Sequence, residues 1–158
     1  MTSTVDAVDA GLIALLTGEP RIGILECSRR LGIARGTAQA RLDRLVSRGV
    51  IAGFGPAVEP AALGYRVTAF ATLEIFQGRG EDVAAHLAEI PEVLEAHTIT
   101  GPGDLLCRVV ARDNADLQRV IDRMVEVEGI RRTSTVIALS TRIAARVLPL
   151  VERAATGG

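Results

Sequence analysis

Lysine and tryptophan are missing from the 158 residues, and aromatic side chains make up only 3%. All 18 basic residues are therefore arginine, a bias that follows genome composition more readily than mechanism and carries no functional weight alone. With one Tyr and three Phe, the core has to be assembled from Ala, Val, Leu and Ile. Cysteine is scarce too. Cys27 and Cys107 each sit in an apolar or amphipathic stretch, and neither has a Cys or His at metal spacing. Both read as buried thiols. His86 and His97 are equally isolated, which argues against a metal site. No apolar run approaches the roughly 18 residues of a membrane helix. The opening MTSTVDAVDA carries acids where a secretion signal is basic and then apolar. The expectation is a cytoplasmic, nucleoid-associated protein with no membrane partner.

Catalytic groupings are lacking as well. Glu89, Glu92 and Glu95 are spread across a helix end and a turn and read as solvated. There is no phosphate-binding glycine loop and no supported Ser/His/Asp grouping. No enzyme, catalytic residue, metal or cofactor is expected.

What is present is a chain with 48% apolar and 23% charged residues, enough to bury a core. The formal net charge of −1 conceals an asymmetry: residues 20–50 hold seven arginines against two acids. A local basic patch on a near-neutral protein is the mark of a compact nucleic-acid-binding module.

The periodicity divides the chain in two. Val8, Leu12, Leu15 and Leu16 predict a helix over 6–17, stopped by Gly18-Glu19-Pro20. A second helix, 24–31, carries Ile24, Leu25, Ser28 and Leu31 inward and ends at Gly32. A third, about 34–48, has the stripe Ala34, Ala38, Leu42, Leu45 and Val46. Three short helices with a tight glycine turn between the last two make a helix-turn-helix. Residues 50–58 predict two short strands about a Gly/Pro turn, a wing. The expected domains are a winged helix-turn-helix over 1–58, a linker over 59–66 and a second domain over 67–158.

In that second domain the period becomes two. Residues 67–76 alternate as a strand, 81–89 form a helix, 93–100 and 105–111 are strands about Gly101-Pro102-Gly103-Asp104, and 130–140 is a fourth strand. Asp113 or Asn114 caps a helix with Leu117, Val120, Ile121, Met124 and Val125 on one face. The order β-α-β-β-α-β predicts a ferredoxin-like α+β domain. Both helices should cover one sheet face, leaving a bare face with Phe70 and Phe76 for a second copy. The tail 141–150 could add a strand across that partner, and 152–158 should fray.

The third helix holds the nucleic-acid chemistry. Small residues at Gly36 and Ala40 permit close entry into a major groove, and Thr37 lies between them. Arg35 suits guanine and Gln39 adenine. Arg41, Arg44 and Arg48 recur every three to four residues, as phosphate contacts would. Arg29 and Arg30, on the preceding helix, would meet the backbone where that helix crosses it.

Several runs taken together resemble the Lrp/AsnC family, the leucine-responsive or feast/famine regulators. They are ILECSRRLGI, RGTAQARLDRLVSRGVIAGF, EPAALGY before the first sheet strand, and RVLPL near the end. The resemblance covers nearly the whole chain. It implies a sequence-specific regulator of transcription on double-stranded DNA, a homodimer and further a tetramer of dimers, and an amino acid or similar metabolite as effector. It also places the effector near the turn Gly101, Pro102, Gly103 and Asp104, with Thr98 and Thr100 before it and Ser134 and Thr135 completing the pocket from a neighbour. Asp104 would accept from an amino group. Two positions depart from the family pattern. Gly103 stands where an aromatic usually precedes the Asp, which implies a more open pocket. Ala34 stands where a Ser usually caps the recognition helix, a loss of about 1 kcal/mol unless Thr37 or DNA compensates. The alternatives are a ligand-independent architectural DNA-binder and a small-molecule module with a vestigial helix-turn-helix.

Overall fold

The structure is a computed structural model and describes residues 5–157. Contacts divide the chain into two compact units, one of residues 1–56 with 143–158 and one of residues 57–142.

In the first unit, α1 spans Ala7–Gly18, α2 Ile24–Leu31 and α3 Arg35–Ser47. Asp6 starts α1 through a reciprocal capping box with Asp9. Each carboxylate accepts from the other residue's backbone N–H, which satisfies donors the helix itself leaves open. Gly32 ends α2 in the left-handed region at φ 64°, a conformation that is costly for a residue with Cβ. Its turn feeds α3 after two residues. Leu12, Cys27 and Leu45 form the buried centre, joined by Val5 and Ala10, with Leu15, Leu16, Ile24 and Leu42 packed around them. Leu25 and Val46, expected inward, are 47% and 44% exposed, while Cys27 and Ala38 are fully buried in their helices.

Residues 52–59 are extended and irregular, with no strand pairing, so the expected two-stranded wing is not formed as a ladder. Gly53, Gly55 and Pro56 weaken strand geometry, and an isolated two-stranded ribbon is marginal in any case. The tail departs further from expectation. The stretch before residue 148 is irregular rather than a strand, and Leu148–Ala155 form a helix, α6. Val151 and Ala155 of α6 pack against the first unit's core. Thus the segment expected to fray is held by apolar contact.

The second unit begins with a single 3-10 turn, Pro60–Leu63. Strands β1 (Val67–Ile75), β2 (Val93–Thr98), β3 (Leu105–Ala111) and β4 (Ile130–Ala138) form one antiparallel sheet in the order β2-β3-β1-β4. Helices α4 (Gly80–Ala88) and α5 (Asn114–Met124) supply Val83, Leu87, Leu117, Val120 and Met124 to a core with Ala69, Ala71, Leu73, Cys107 and Val109. The inward sheet positions alternate along β1 and β3, as the strand period requires. Small Ala69 and Ala71 on the central strand admit the larger helix side chains.

The opposite sheet face is less apolar than the alternation suggests. Register places Thr68, Phe70, Thr72 and Glu74 of β1 beside Val110, Arg108 and Leu106 on β3 and beside Ala138, Val136, Ser134 and Arg132 on β4. Arg108 pairs with Glu95 across this face at 2.9 Å. Phe70 is 37% and Val136 63% exposed. Phe76, expected on this face, lies one residue past the end of β1.

Candidate nucleic-acid interface and effector region

Helix α3 is anchored by Ala38 and Leu45. Arg35, Gly36, Thr37, Gln39 and Ala40 are all exposed in its first half. Gly36 has open space where a Cβ would stand. Ala34 makes no side-chain cap. Thr37 makes no side-chain hydrogen bond in its place among the described residues, so no side chain caps the first turn of α3. This end of the helix combines a cation, two small residues and an amide side chain on one accessible surface.

The arginines expected to flank it behave unequally. Arg35 and Arg48 are exposed and have no ion pair among the described residues. Arg29 is exposed and only loosely paired with Glu26, at 3.9 Å. Arg30 is committed to Glu19 and to Glu26, the latter at 3.0 Å. Glu19 and Glu26 raise its already high pKa, and Arg30 in turn depresses that of Glu19. Gln39 donates to Asp43 at 2.8 Å.

Arg41 and Arg44 both reach toward α1, Arg44 with its side chain still 47% exposed. Arg41 donates to Asp6 at 2.6 Å and to Asp9 at 2.8 Å, and Arg44 donates to Asp9 at 2.8 Å. The Asp9 side chain is only 2% exposed. Arg41 and its hydrogen bonds hold the Asp6 carboxyl below the usual range, and the two carboxylates raise the pKa of Arg41. Sequence reasoning missed Asp9. The D-x-x-D spacing at residues 6 and 9 signals the capping box but not the long-range partners.

The effector residues gather around one end of the sheet, in three adjoining clefts. Thr98 and Asp104 border a cleft of about 450 Å³ with Ile75, Phe76 and Gly80. Gly101, Pro102, Gly103 and Asp104 border one of about 300 Å³ with Glu74 and Arg131. Ser134 lies with Thr72, Glu74, Pro102 and Arg132 about one of 230 Å³. Thr100 and Thr135 border none of these three. Ser134 and Thr135 also point to opposite sheet faces, because Thr135 pairs with buried Ala71 and Ser134 with Thr72. A further cleft of about 510 Å³, between Glu19 and Glu26, belongs to neither region.

Asp104 is partly engaged by the protein itself. The β1–β4 register shifts between Glu74 and Ile75, and Asp104 Oδ2 accepts from the Ile75 N–H at 2.6 Å. Its own N–H donates to Leu73 at 2.8 Å. Oδ1 has no protein partner among the described residues. Gly103 borders the second of these clefts. The loop approaches β1 closely there, and a Cβ at residue 103 would lie 2.3 Å from Thr72 Cγ2. No helix among the described residues is long and apolar enough to cross a membrane.

Comparison with known proteins adds the following. A family model described as Lrp/AsnC ligand binding domain matches residues 68–148, and one described as winged helix-turn-helix DNA-binding matches residues 5–52. HTH-type transcriptional regulator FL11 of Pyrococcus furiosus is 30% identical over 150 residues, 95% of this chain and 99% of that protein. The structure of E. coli AsnC superposes with a TM-score of 0.85 at 28% identity, covering 92% of this chain and 99% of that one. A feast or famine regulatory protein from M. tuberculosis complexed with L-methionine gives a TM-score of 0.79 at 27% identity, covering 89% and 96%.

Proposed function

The chain belongs to the Lrp/AsnC family of DNA-binding transcriptional regulators, and from that premise we propose that it reads a specific DNA sequence through the first half of α3 and answers to an amino acid. One observation carries the DNA-binding part. Arg35, Gly36, Thr37, Gln39 and Ala40 are exposed together at one end of α3, while Ala38 and Leu45 hold that helix to the body. A helix so placed presents a guanine-reading and an adenine-reading side chain without bulk between them. Arg29 and Arg48 supply phosphate contacts from either side.

The protein acts as a homodimer, joined through the open sheet face where Phe70 and Val136 are exposed, and assembles further into a tetramer of dimers. Two copies of α3 then meet half-sites spaced about 34 Å, one helical turn of DNA, or a multiple of it. The effector is an amino acid, by analogy with the methionine-bound relative. It sits against Thr98 and the turn Gly101–Asp104, where Asp104 Oδ1 can accept from an ammonium group. Ser134 of a neighbouring copy supports this site. The effector acts by binding two arrangements of the assembly unequally.

Two measurements test the reading. Genomic fragments enriched on the full-length protein should share a two-fold sequence, and Gln39→Ala should relax preference at an adenine within it. Calorimetry against the twenty amino acids should give heat for at least one, and that one should shift DNA affinity. Weak sequence preference with no amino-acid response would instead identify an architectural DNA-binder.

A further inference from the structure

Resting on the reading of α3 as the DNA-facing helix, we propose that Asp9 is a positioning residue that withdraws Arg41 and Arg44 from the phosphate backbone and sets which face of α3 reaches DNA. Asp9 is buried at the α1 end, yet its carboxylate serves three groups. Oδ1 accepts from Arg41 at 2.8 Å, and Oδ2 accepts from Arg44 at 2.8 Å and from the Asp6 N–H at 3.3 Å. Asp6 takes a second bond from Arg41 at 2.6 Å. Two carboxylates and two guanidinium groups therefore form a neutral quartet. A desolvated carboxylate holds its cations strongly, because losing one leaves an uncompensated buried charge. Arg41 and Arg44 are three residues apart, hence on one side of α3, and that side is fastened to α1. Arg35, Gly36, Gln39 and Ala40 are left exposed. The capping box that starts α1 thus also fixes the rotation of α3 about its own axis.

The consequence is a salt dependence smaller than the arginine count implies. Each phosphate neutralised by a free arginine steepens the dependence of log affinity on log salt by about 0.9. Arg48, exposed and without an ion pair among the described residues, contributes to that slope. Arg41 and Arg44 do not, because their charge is already compensated within the quartet.

The test uses full-length wild type, Arg48→Ala, Arg44→Ala, Arg41→Ala and Asp9→Asn. Fluorescence anisotropy is read on an enriched duplex and on a scrambled one between about 50 and about 200 mM salt. Thermal melts identify the folded variants. Arg48→Ala should flatten the slope by about 0.9, and Arg44→Ala and Arg41→Ala should each leave it unchanged. Asp9→Asn removes one of the two carboxylates, leaves one cation uncompensated and should steepen it by about 0.9 while narrowing the gap between enriched and scrambled DNA. A purely structural Asp9 would instead weaken binding without steepening the slope. Should Asp9→Asn fail to fold, the three arginine variants decide the matter. A loss of about 0.9 on Arg44→Ala overturns this proposal alone. An unchanged slope on Arg48→Ala, or no DNA binding by wild type, overturns it together with the reading of α3.

Discussion

Gly103 and Thr72 give the sharpest test of the sheet domain. Gly103→Ala places a methyl group 2.3 Å from Thr72 Cγ2 and 3.4 Å from the Leu73 carbonyl. Thr72 is held in the central strand β1 between β3 and β4, and its β-branched side chain has few rotamers to move into. Overpacking of this kind costs about 1–3 kcal/mol. The backbone at Gly103 is not in the left-handed region, so alanine is tolerated there conformationally. Where no clash opposes it, Gly→Ala stabilises by about 0.4–1 kcal/mol through the unfolded chain. The two effects can be separated. Thr72→Ser removes the offending methyl and keeps the hydroxyl. In that background Gly103→Ala should change from destabilising to neutral or mildly stabilising, a coupling of about 1–3 kcal/mol. Urea melts of the four proteins, followed by far-UV circular dichroism, give the cycle. Should Gly103→Ala cost nothing beside Thr72, or cost as much beside serine, the close approach of turn and strand is refuted.

Three other outcomes follow from the same structure. Ala34→Ser should add about 1 kcal/mol by capping the open first turn of α3, seen as a raised melting midpoint; no change would mean that α3 begins elsewhere. Removing residues 148–158 strips Val151 and Ala155 from the first unit's core and should cost that unit on the order of 1–2 kcal/mol, with faster proteolysis of α1; equal protease resistance would show α6 to be undocked. Asp116 accepts from the Arg112 N–H at 2.9 Å and from Arg119 at 2.9 Å, which lowers its pKa. A depressed folded-state pKa gives stability that is present above the unfolded value near 3.8 and is lost as pH falls through the folded one. Asp116→Asn should therefore flatten the acid limb of a pH–stability profile, and an unchanged limb would exclude the carboxylate.

Most of the secondary structure could be read from spacing because it depends on near neighbours. Period two along 67–76 and 105–111 specifies strands with one buried face, and the stripe Leu117, Val120, Ile121 and Met124 specifies α5. Gly32 marks the helix-turn-helix corner because only a short list of residues adopts φ near 64°. The order of these elements was enough to anticipate a four-stranded sheet with two helices on one side. The run LPLVERAA also carries helical spacing, at Leu148, Val151 and Ala155. Its docking was illegible because it needs a partner surface from the other end of the chain.

The amino-acid order alone therefore determined most of the helices and strands, though not the form of residues 50–58 or of the tail, and which helix bears exposed arginine, glutamine and small residues. Periodicity and propensity act over a few residues and need no knowledge of the rest. Tertiary structure alone decided where the charges go. Asp6 and Asp9 are more than thirty residues from Arg41 and Arg44, and only the packing of α1 on α3 brings them within 3 Å. It likewise decided that Thr72 fills the space beside Gly103 and that Asp104 fastens β1. Electrostatic pairing and close packing fall off over a few ångströms, so they depend on distances that exist only once the chain has folded.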